Sequence, residues 1–327
     1  MDNDNSDKKS IALNDESGGE DCPLCGSRSN KTIYSDVSDP ITRESFRVVR
    51  CGNCDLAFTC PRHLSMDRYY PSQYRAYGPL VSRILTMLYG RRVSRWAKLK
   101  PQGGSVLEVG CGPGLMLAAF QRRGWSALGI ERNEGIAEKG RAALGVRIVA
   151  TPVKALPAND RFDLIVIFQV LEHIDDPAAL LKECVQRLAP GGRLIVGVPN
   201  FASWQAQFSG PKWFHLDVPR HRVHFSPKTL GKALESAGLE LKSLNFVSLE
   251  HDPYGWVESS LNRITGRPNT ITRFLMGLDP LGPLVLLCLV LGAALAPAAL
   301  VLSVISWVAG TGGLMEATAV IPTPRAD

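Results

Sequence analysis

No aromatic residue occurs in the first 21 positions, and no charged residue occurs between Leu281 and Gly310. The opening MDNDNSDKKSIALNDESGGED carries seven acids against Lys8 and Lys9. Such a segment cannot bury enough apolar surface to offset its ordering entropy, so a disordered acidic tail is expected over 1–21. It also lacks the basic-then-apolar pattern of a secretory signal, which argues against an oxidising compartment. Cysteines should then be thiols or metal ligands. The formal charge is +6, and removing the acidic opening leaves +11 on the rest. No recognised nucleic-acid module accompanies that positive balance, so no nucleic-acid partner is expected. A chain of 327 residues can hold one large domain with smaller attachments.

Eight cysteines are present, four of them in two close pairs, Cys22 with Cys25 in CPLCG and Cys51 with Cys54 in CGNC. Each C-x2-C turn aims two thiolates at one point, and two such turns complete a closed tetrahedral site for a structural zinc ion. The segment between them alternates apolar and polar residues around an SDP turn, as the strands of a zinc ribbon over 22–60 should. Two disulfides or unrelated thiols are the alternatives. Cys60, Cys184 and Cys288 stand alone and suit core packing.

Residues 61–101 read as a linker and a basic amphipathic helix. Leu80, Ile84, Met87, Leu88 and Trp96 mark one side of it, and Arg83, Arg91, Arg92, Arg95, Lys98 and Lys100 the other. The main domain, 102–327, opens with SVLEVGCGPGLMLAAF, a buried strand, a glycine turn and a helix. Gly110, Gly112 and Gly114 let the backbone turn sharply and approach a ligand at a helix start. The next strand ends in Glu131, placed to accept the hydroxyls of a ribose. A dinucleotide fingerprint would need a glycine where Leu115 stands.

The LExGxGxG pattern from Leu107 to Gly114 resembles motif I of the class I S-adenosylmethionine-dependent methyltransferases. RFDLIVIFQVLEHIDDP resembles the fourth strand of that family and the segment after it, and LAPGGRLIVGVPN its fifth strand. WFHLDVPRHRVHFSPKTLGKALESAGL is similar to a subgroup that also carries an N-terminal cysteine pair and a YYP segment. The resemblance implies an α/β fold: a Rossmann-like seven-stranded methyltransferase sheet with the zinc ribbon in front. It implies that Glu108, Gly110, Cys111, Gly112 and Gly114 surround the methionine portion of S-adenosyl-L-methionine. Glu131 would hold the ribose, and Phe168 and Gln169 would line the open side. Thr151 and Pro152 stand where many relatives place an acid for the adenine amino group.

Methyl transfer from a sulfonium is an in-line displacement, so the protein positions the acceptor and, for an oxygen acceptor, removes a proton. His173 follows the fourth strand, and His221 and His224 lie with Asp217 in the loop after the fifth; these four are the catalytic candidates. For His173 the alternative is a residue that only packs its loop. A metal site on His215, Asp217, His221 and His224 fits no established spacing. Trp213 and Phe214 are read as the apolar wall of an acceptor pocket, or else as aromatics buried by a helix-capping segment.

The family topology calls for one more strand, antiparallel, between the fifth and sixth, and GGLMEATAVI (312–321) fits it. The uncharged run over 280–310 therefore lies inside the fold, before the last strand. As one helix it would exceed a bilayer core, and Pro297 interrupts it. A hydrophobic helical hairpin is expected that dips into the membrane and returns, with Arg263, Arg267, Arg273 and the basic helix facing anionic headgroups. The expected activity is methyl transfer to a small or lipid-linked acceptor at the inner, cytoplasmic face of a membrane. The rivals are a soluble sugar-nucleotide or metabolite methyltransferase, with the apolar run as a homodimer contact, and a non-catalytic cofactor-binding scaffold.

Overall fold

The computed structural model describes residues 20–70 and 79–323. The acidic opening thus lies, except for its last two residues, outside the described residues, as does most of the YYPSQYRAYG segment. Three antiparallel strands come first, β1 (Asn30–Ser38), β2 (Ser45–Cys51) and β3 (Ala57–Cys60). Helix α1 (Pro79–Ala97) leads into the repeating strand and helix units: β4 (Ser105–Val109), α2 (Leu115–Gln121), β5 (Ser126–Ile130), α3 (Glu134–Leu144) and β6 (Arg147–Val149). Then come β7 (Phe162–Phe168), α4 (Pro177–Val185), β8 (Leu188–Pro199), α5 (Trp204–Ser209), the short β9 (Val223–His224), α6 (Pro227–Ser236) and β10 (Glu240–Asn245). Helices α7 (Asp252–Thr265), α8 (Thr270–Leu275) and α9 (Pro283–Val308) precede β11 (Leu314–Val320).

The main sheet has seven strands in the order β10-β11-β8-β7-β4-β5-β6. Strands β6, β5, β4, β7 and β8 are parallel, and their side chains are almost all buried, as strands covered by helices on both faces must be. The order reverses at β4, which opens a ligand crevice beyond the carboxyl ends of β4 and β7. Strand β11 runs antiparallel between β8 and β10, where the alternation of 312–321 predicted it. Local signals were equally direct at α6: Ser226 accepts from the Thr229 N–H in a capping box, Pro227 starts the helix and Gly238, at φ +83°, follows its end.

The cysteine-rich front is not an appendage. Leu56, Phe58 and Val49 join the core formed by Leu181, Leu230 and Leu234, on one face of the main sheet. Strand β3 also pairs with β9, Ala57 opposite His224 and Phe58 opposite Val223, so a four-stranded sheet β1-β2-β3-β9 runs from the ribbon into the main domain.

The uncharged run departs from expectation. It forms one continuous 26-residue helix, α9, not two short ones, with a length of about 39 Å at 1.5 Å per residue. Pro297 forfeits only the bond to the Ala293 carbonyl, and both residues lie on the exposed side, where no packed neighbour resists the ring. The outward arm of the excursion is supplied by α7 and α8. Both ends of α9 are tied to the globular body. Near its start, Arg273 pairs with Asp279 at 2.6 Å and bonds the Pro40 carbonyl; at its end, Trp307 Nε1 donates to Asp252 Oδ2 at 2.5 Å. Between these ties it packs mainly on α7 and α8.

The burial of α9 is inverted relative to a soluble surface helix. Its buried seam is Val285, Cys288, Gly292, Ala299, Ser303 and Ser306, while Leu286, Leu287, Val290, Leu300, Val301, Val304 and Ile305 are exposed. The two serines satisfy themselves within the helix, Ser303 Oγ donating to the Ala299 carbonyl and Ser306 Oγ to that of Ser303. Among the described residues it is the one helix long and apolar enough to cross a membrane. The basic side of α1 is partly spent inside the molecule. Arg92 is buried against Glu250 and Glu316, Arg95 reaches Glu316 and Lys100 pairs with Asp163, leaving Arg83, Arg91 and Lys98 exposed.

Candidate active site

The glycine turn after β4 is held from below, where the Gly110 and Cys111 N–H groups both donate to the Ile130 carbonyl at the end of β5. Gly110, Gly112 and Gly114 all have positive φ, at +70°, +53° and +81°. They do different work. A Cβ on Gly110 would stand 2.4 Å from Val170 Cγ2 and one on Gly114 2.8 Å from Val146 Cγ2, so these two let chain segments pack; a Cβ on Gly112 would meet nothing within 4 Å, which marks the face open to a ligand. Cys111 turns its sulfur inward toward Gly129, so it offers its backbone to the turn. Glu131 spans the turn, one oxygen accepting from Gly112 N at 3.1 Å and the other from Asn133 N at 2.8 Å.

Two buried polar atoms beside this turn have no partner among the described residues, Glu108 Oε2 and Gln169 Nε2. Such atoms are costly unless a ligand or water completes them. Gln169 has a left-handed backbone, φ +57°, at the end of β7. These features fit a polar cofactor laid across the glycine turn. The Phe168 ring does not line that face: it lies over Gly197 and packs against Trp96 and Tyr89 with the Arg92 guanidinium 4.6 Å from its centre. Thr151 is exposed just beyond β6.

Beyond the cofactor side, the segment after β7 meets the loop before β9. His173 Nδ1 lies 2.9 Å from the Arg220 carbonyl and 3.2 Å from the Tyr70 hydroxyl, and His221 Nδ1 lies 2.7 Å from the His215 carbonyl. A carbonyl only accepts, so in both imidazoles Nδ1 carries the proton, and Nε2 is the nitrogen that can act as a base when the ring is neutral. The two rings are 4.7 Å apart. The Glu172 carboxylate, His173 and His221 offer atoms all within 4.8 Å of one another. Glu172 was not among the sequence candidates, although its position beside His173 at the crevice was a signal available for it.

Asp217 lies 3.9 Å from His221 Nε2 through one oxygen, and its other oxygen is held by the fully buried Arg220 at 2.7 Å. Arg220 reaches on to Asp39 of the SDP turn, also at 2.7 Å. His224 stands further back, buried in β9 with its Nε2 2.9 Å from Thr59 Oγ1. Burial pushes its pKa down to about 3, so it stays neutral. Trp213 is buried in a core shared with Val37, Phe46 and Val48 of the ribbon.

The four cysteines of the front converge as the spacing required. Cys22 and Cys54 sulfurs are 3.5 Å apart, Cys25 and Cys51 3.6 Å, and all four lie within 4.8 Å of one another. These separations exclude disulfides, whose sulfurs stand about 2.05 Å apart. They suit the edges of a tetrahedron around one ion with bonds of about 2.3 Å.

A family model described as a methyltransferase domain matches residues 81–244. The chain belongs to the class I S-adenosylmethionine-dependent methyltransferases. This methyltransferase is 27% identical over 162 residues to the ubiquinone biosynthesis O-methyltransferase of Xanthomonas axonopodis pv. citri, covering 46% of its own chain and 68% of the relative's. It is 29% identical over 164 residues to the protein of that name from Pseudomonas paraeruginosa, covering 46% and 70%. Among solved structures, a SAM-dependent methyltransferase from Archaeoglobus fulgidus superposes with a TM-score of 0.47 at 19% identity, covering 72% of this chain and 93% of that one.

Glu108 gives the methyltransferase a pH dependence. Burial, reinforced by the nearby Glu131 charge, pushes its pKa up to about 8 against the opposing Leu117 N–H. In the free protein the carboxyl therefore holds a proton that the unfolded chain would lose near 4.5, and its contribution to stability falls as pH rises from there through 8. A sulfonium cation beside it would favour the ionised form, so cofactor binding below pH 8 is expected to release a proton. Cofactor affinity is expected to rise roughly tenfold between pH 6.5 and 8 and then level off; Glu108→Gln should flatten the curve in calorimetric titrations. An affinity independent of pH in the unsubstituted protein would refute the assignment.

Proposed function

We propose that the protein transfers a methyl group from S-adenosylmethionine to an oxygen of a small or lipid-linked acceptor while resting on the cytoplasmic face of a membrane. The observation that carries this reading is the inverted burial of α9, which packs its small and polar residues inward and leaves Val290 68% and Val308 86% exposed. An apolar face of that length is stable when lipid covers it. The names of the relatives support oxygen as the accepting atom.

In this mechanism the glycine turn and Glu131 hold the cofactor, whose sulfonium supplies the methyl group. His221, with His173 beside it, accepts the acceptor hydroxyl proton at Nε2 as the oxygen attacks the methyl carbon in line and the carbon–sulfur bond breaks, its electron pair staying on the sulfur of a neutral thioether. Asp217, fixed by Arg220, stabilises the imidazolium that results. The four cysteines hold a structural zinc ion with no open position for water. Thr151 contributes to the adenine end through its backbone.

The trio of Glu172, His173 and His221 favours one variant of this reading, in which a divalent cation on those groups orients the acceptor oxygen. Activity lost after brief chelation and restored by manganese alone would select it, since manganese takes carboxylate and imidazole ligands and binds a four-thiolate site weakly.

The test is incubation with methyl-labelled cofactor and separated lipid, glycan and small-molecule extracts, together with alkaline-washed membrane fractions. Label is expected in the lipid extract, and the protein in the washed membranes. Label confined to water-soluble products, with a soluble homodimer, would instead make α9 a contact between two copies.

A further inference from the structure

We propose that the four-cysteine module is a built-in wall of the acceptor site, and that Thr59 is the positioning residue through which it fixes the imidazoles of His221 and His224. The module touches the loop 213–224 at every level. Strand β3 adds β9 to its own sheet, Thr59 N donates to the Arg222 carbonyl at 2.9 Å, and Arg222 returns a bond to the Arg62 carbonyl. Arg220 joins Asp39 of the ribbon to Asp217 of the loop, and Trp213 shares the ribbon's core. On its other side the same loop is fastened to the catalytic segment, Arg222 N donating to the Glu172 carbonyl at 2.8 Å. The loop is thus clamped between the ribbon and the residues that face the cofactor.

Thr59 stands at the centre of that clamp. Its side chain is buried, and Oγ1 lies 2.7 Å from the His221 carbonyl and 2.9 Å from His224 Nε2. A hydroxyl has one proton. The carbonyl can only accept, so that proton goes to His221, and the imidazole must donate its Nε2–H to the threonine oxygen. One side chain therefore sets the backbone position of His221 and the tautomer of His224, opposite to the Nδ1–H form of His221 and His173. A valine of the same shape keeps the strand packing but removes both bonds and strands two buried polar groups.

This inference rests on the proposed reading only where it assigns the base to His221; the tautomer it predicts is independent of that role. The test compares the full-length protein with Thr59→Val and Thr59→Ser, after confirming bound metal and cofactor affinity in each. Nitrogen-15 imidazole spectra should show one histidine neutral in the Nε2–H form across pH 5 to 8, lost in Thr59→Val and restored in Thr59→Ser. Transfer of label into a total lipid extract should fall roughly tenfold in kcat for valine and recover for serine, with cofactor affinity unchanged. Unchanged imidazole spectra in Thr59→Val, or a serine variant that fails to recover them, would overturn the proposal. If the spectra behave as expected while the wild-type protein transfers no label to lipid, the positioning role stands and the acceptor assignment falls.

Discussion

Replacing His173 and His221 together with alanine is expected to lower kcat by a factor on the order of 10² to 10⁴, while cofactor affinity stays within about twofold. The separation follows from geometry. Both imidazoles are anchored through Nδ1 to carbonyls of the loop that faces the crevice, and neither belongs to the glycine turn. A base must be neutral to work, so kcat of the unsubstituted protein should rise with pH along an acid limb that the double variant lacks. The single variants rank the pair: His221, with Asp217 at 3.9 Å to stabilise its cation, should account for the larger share. Equal cofactor affinity with unchanged kcat in the double variant would remove both residues from the chemistry.

The second large effect concerns α9. Substituting Val290, Val301 and Ile305 with aspartate should release the protein from alkaline-washed membranes. These side chains are among the exposed ones of the helix, so the substitutions disturb little internal packing. Each forfeits roughly 1.5–3 kcal/mol of apolar burial in lipid and adds a charge, enough together for a loss of at least about 100-fold in partitioning. Transfer to a dispersed acceptor in detergent should persist, because the three positions lie outside the glycine turn and the histidine loop. Substituting Gly292 with leucine acts on the opposite face. Its Cβ would already stand 3.1 Å from Ile271 and 3.3 Å from Val257, so the larger side chain should destabilise the docking of α9 on α7. A triple aspartate variant that still sediments with membranes would assign the exposed face elsewhere.

Much of this architecture was legible before any coordinates. The glycine turn, Glu131 at the end of its strand and the paired cysteines are written in short spacings, because each depends on residues close in sequence. The inserted β11 was legible for a different reason: Met315, Ala317 and Ala319 face the apolar core while Glu316 on the other face pairs with Arg92, so its sequence alternates although its partners lie far away. What failed was geometry set by distant neighbours. Pro297 is a valid local breaker, yet the continuity of α9 depends on α7 and α8 carrying the chain outward. Phe168 occupies the position of a cofactor neighbour, but its ring is claimed by Arg92 and Trp96 from α1. Thr59 has no local signature at all, since its partners His221 and His224 lie more than 160 positions away. Half of the basic side of α1 was similarly unreadable, because the acids that neutralise it sit on β7, on β11 and beside α7.

The place of β11 bears on how the molecule is made. It follows α9 in the chain but sits in the interior of the sheet, between β8 and β10. While a nascent chain has not yet delivered residues 314–320, the long edge of β8 carries unpaired amide and carbonyl groups, a state prone to wrong pairing. The greasy helix emerges just before the strand that closes this gap. The sheet can therefore close only once the chain has run out through α7 and α8 and back through α9, so the excursion has to fold back before β8 gains its last neighbour.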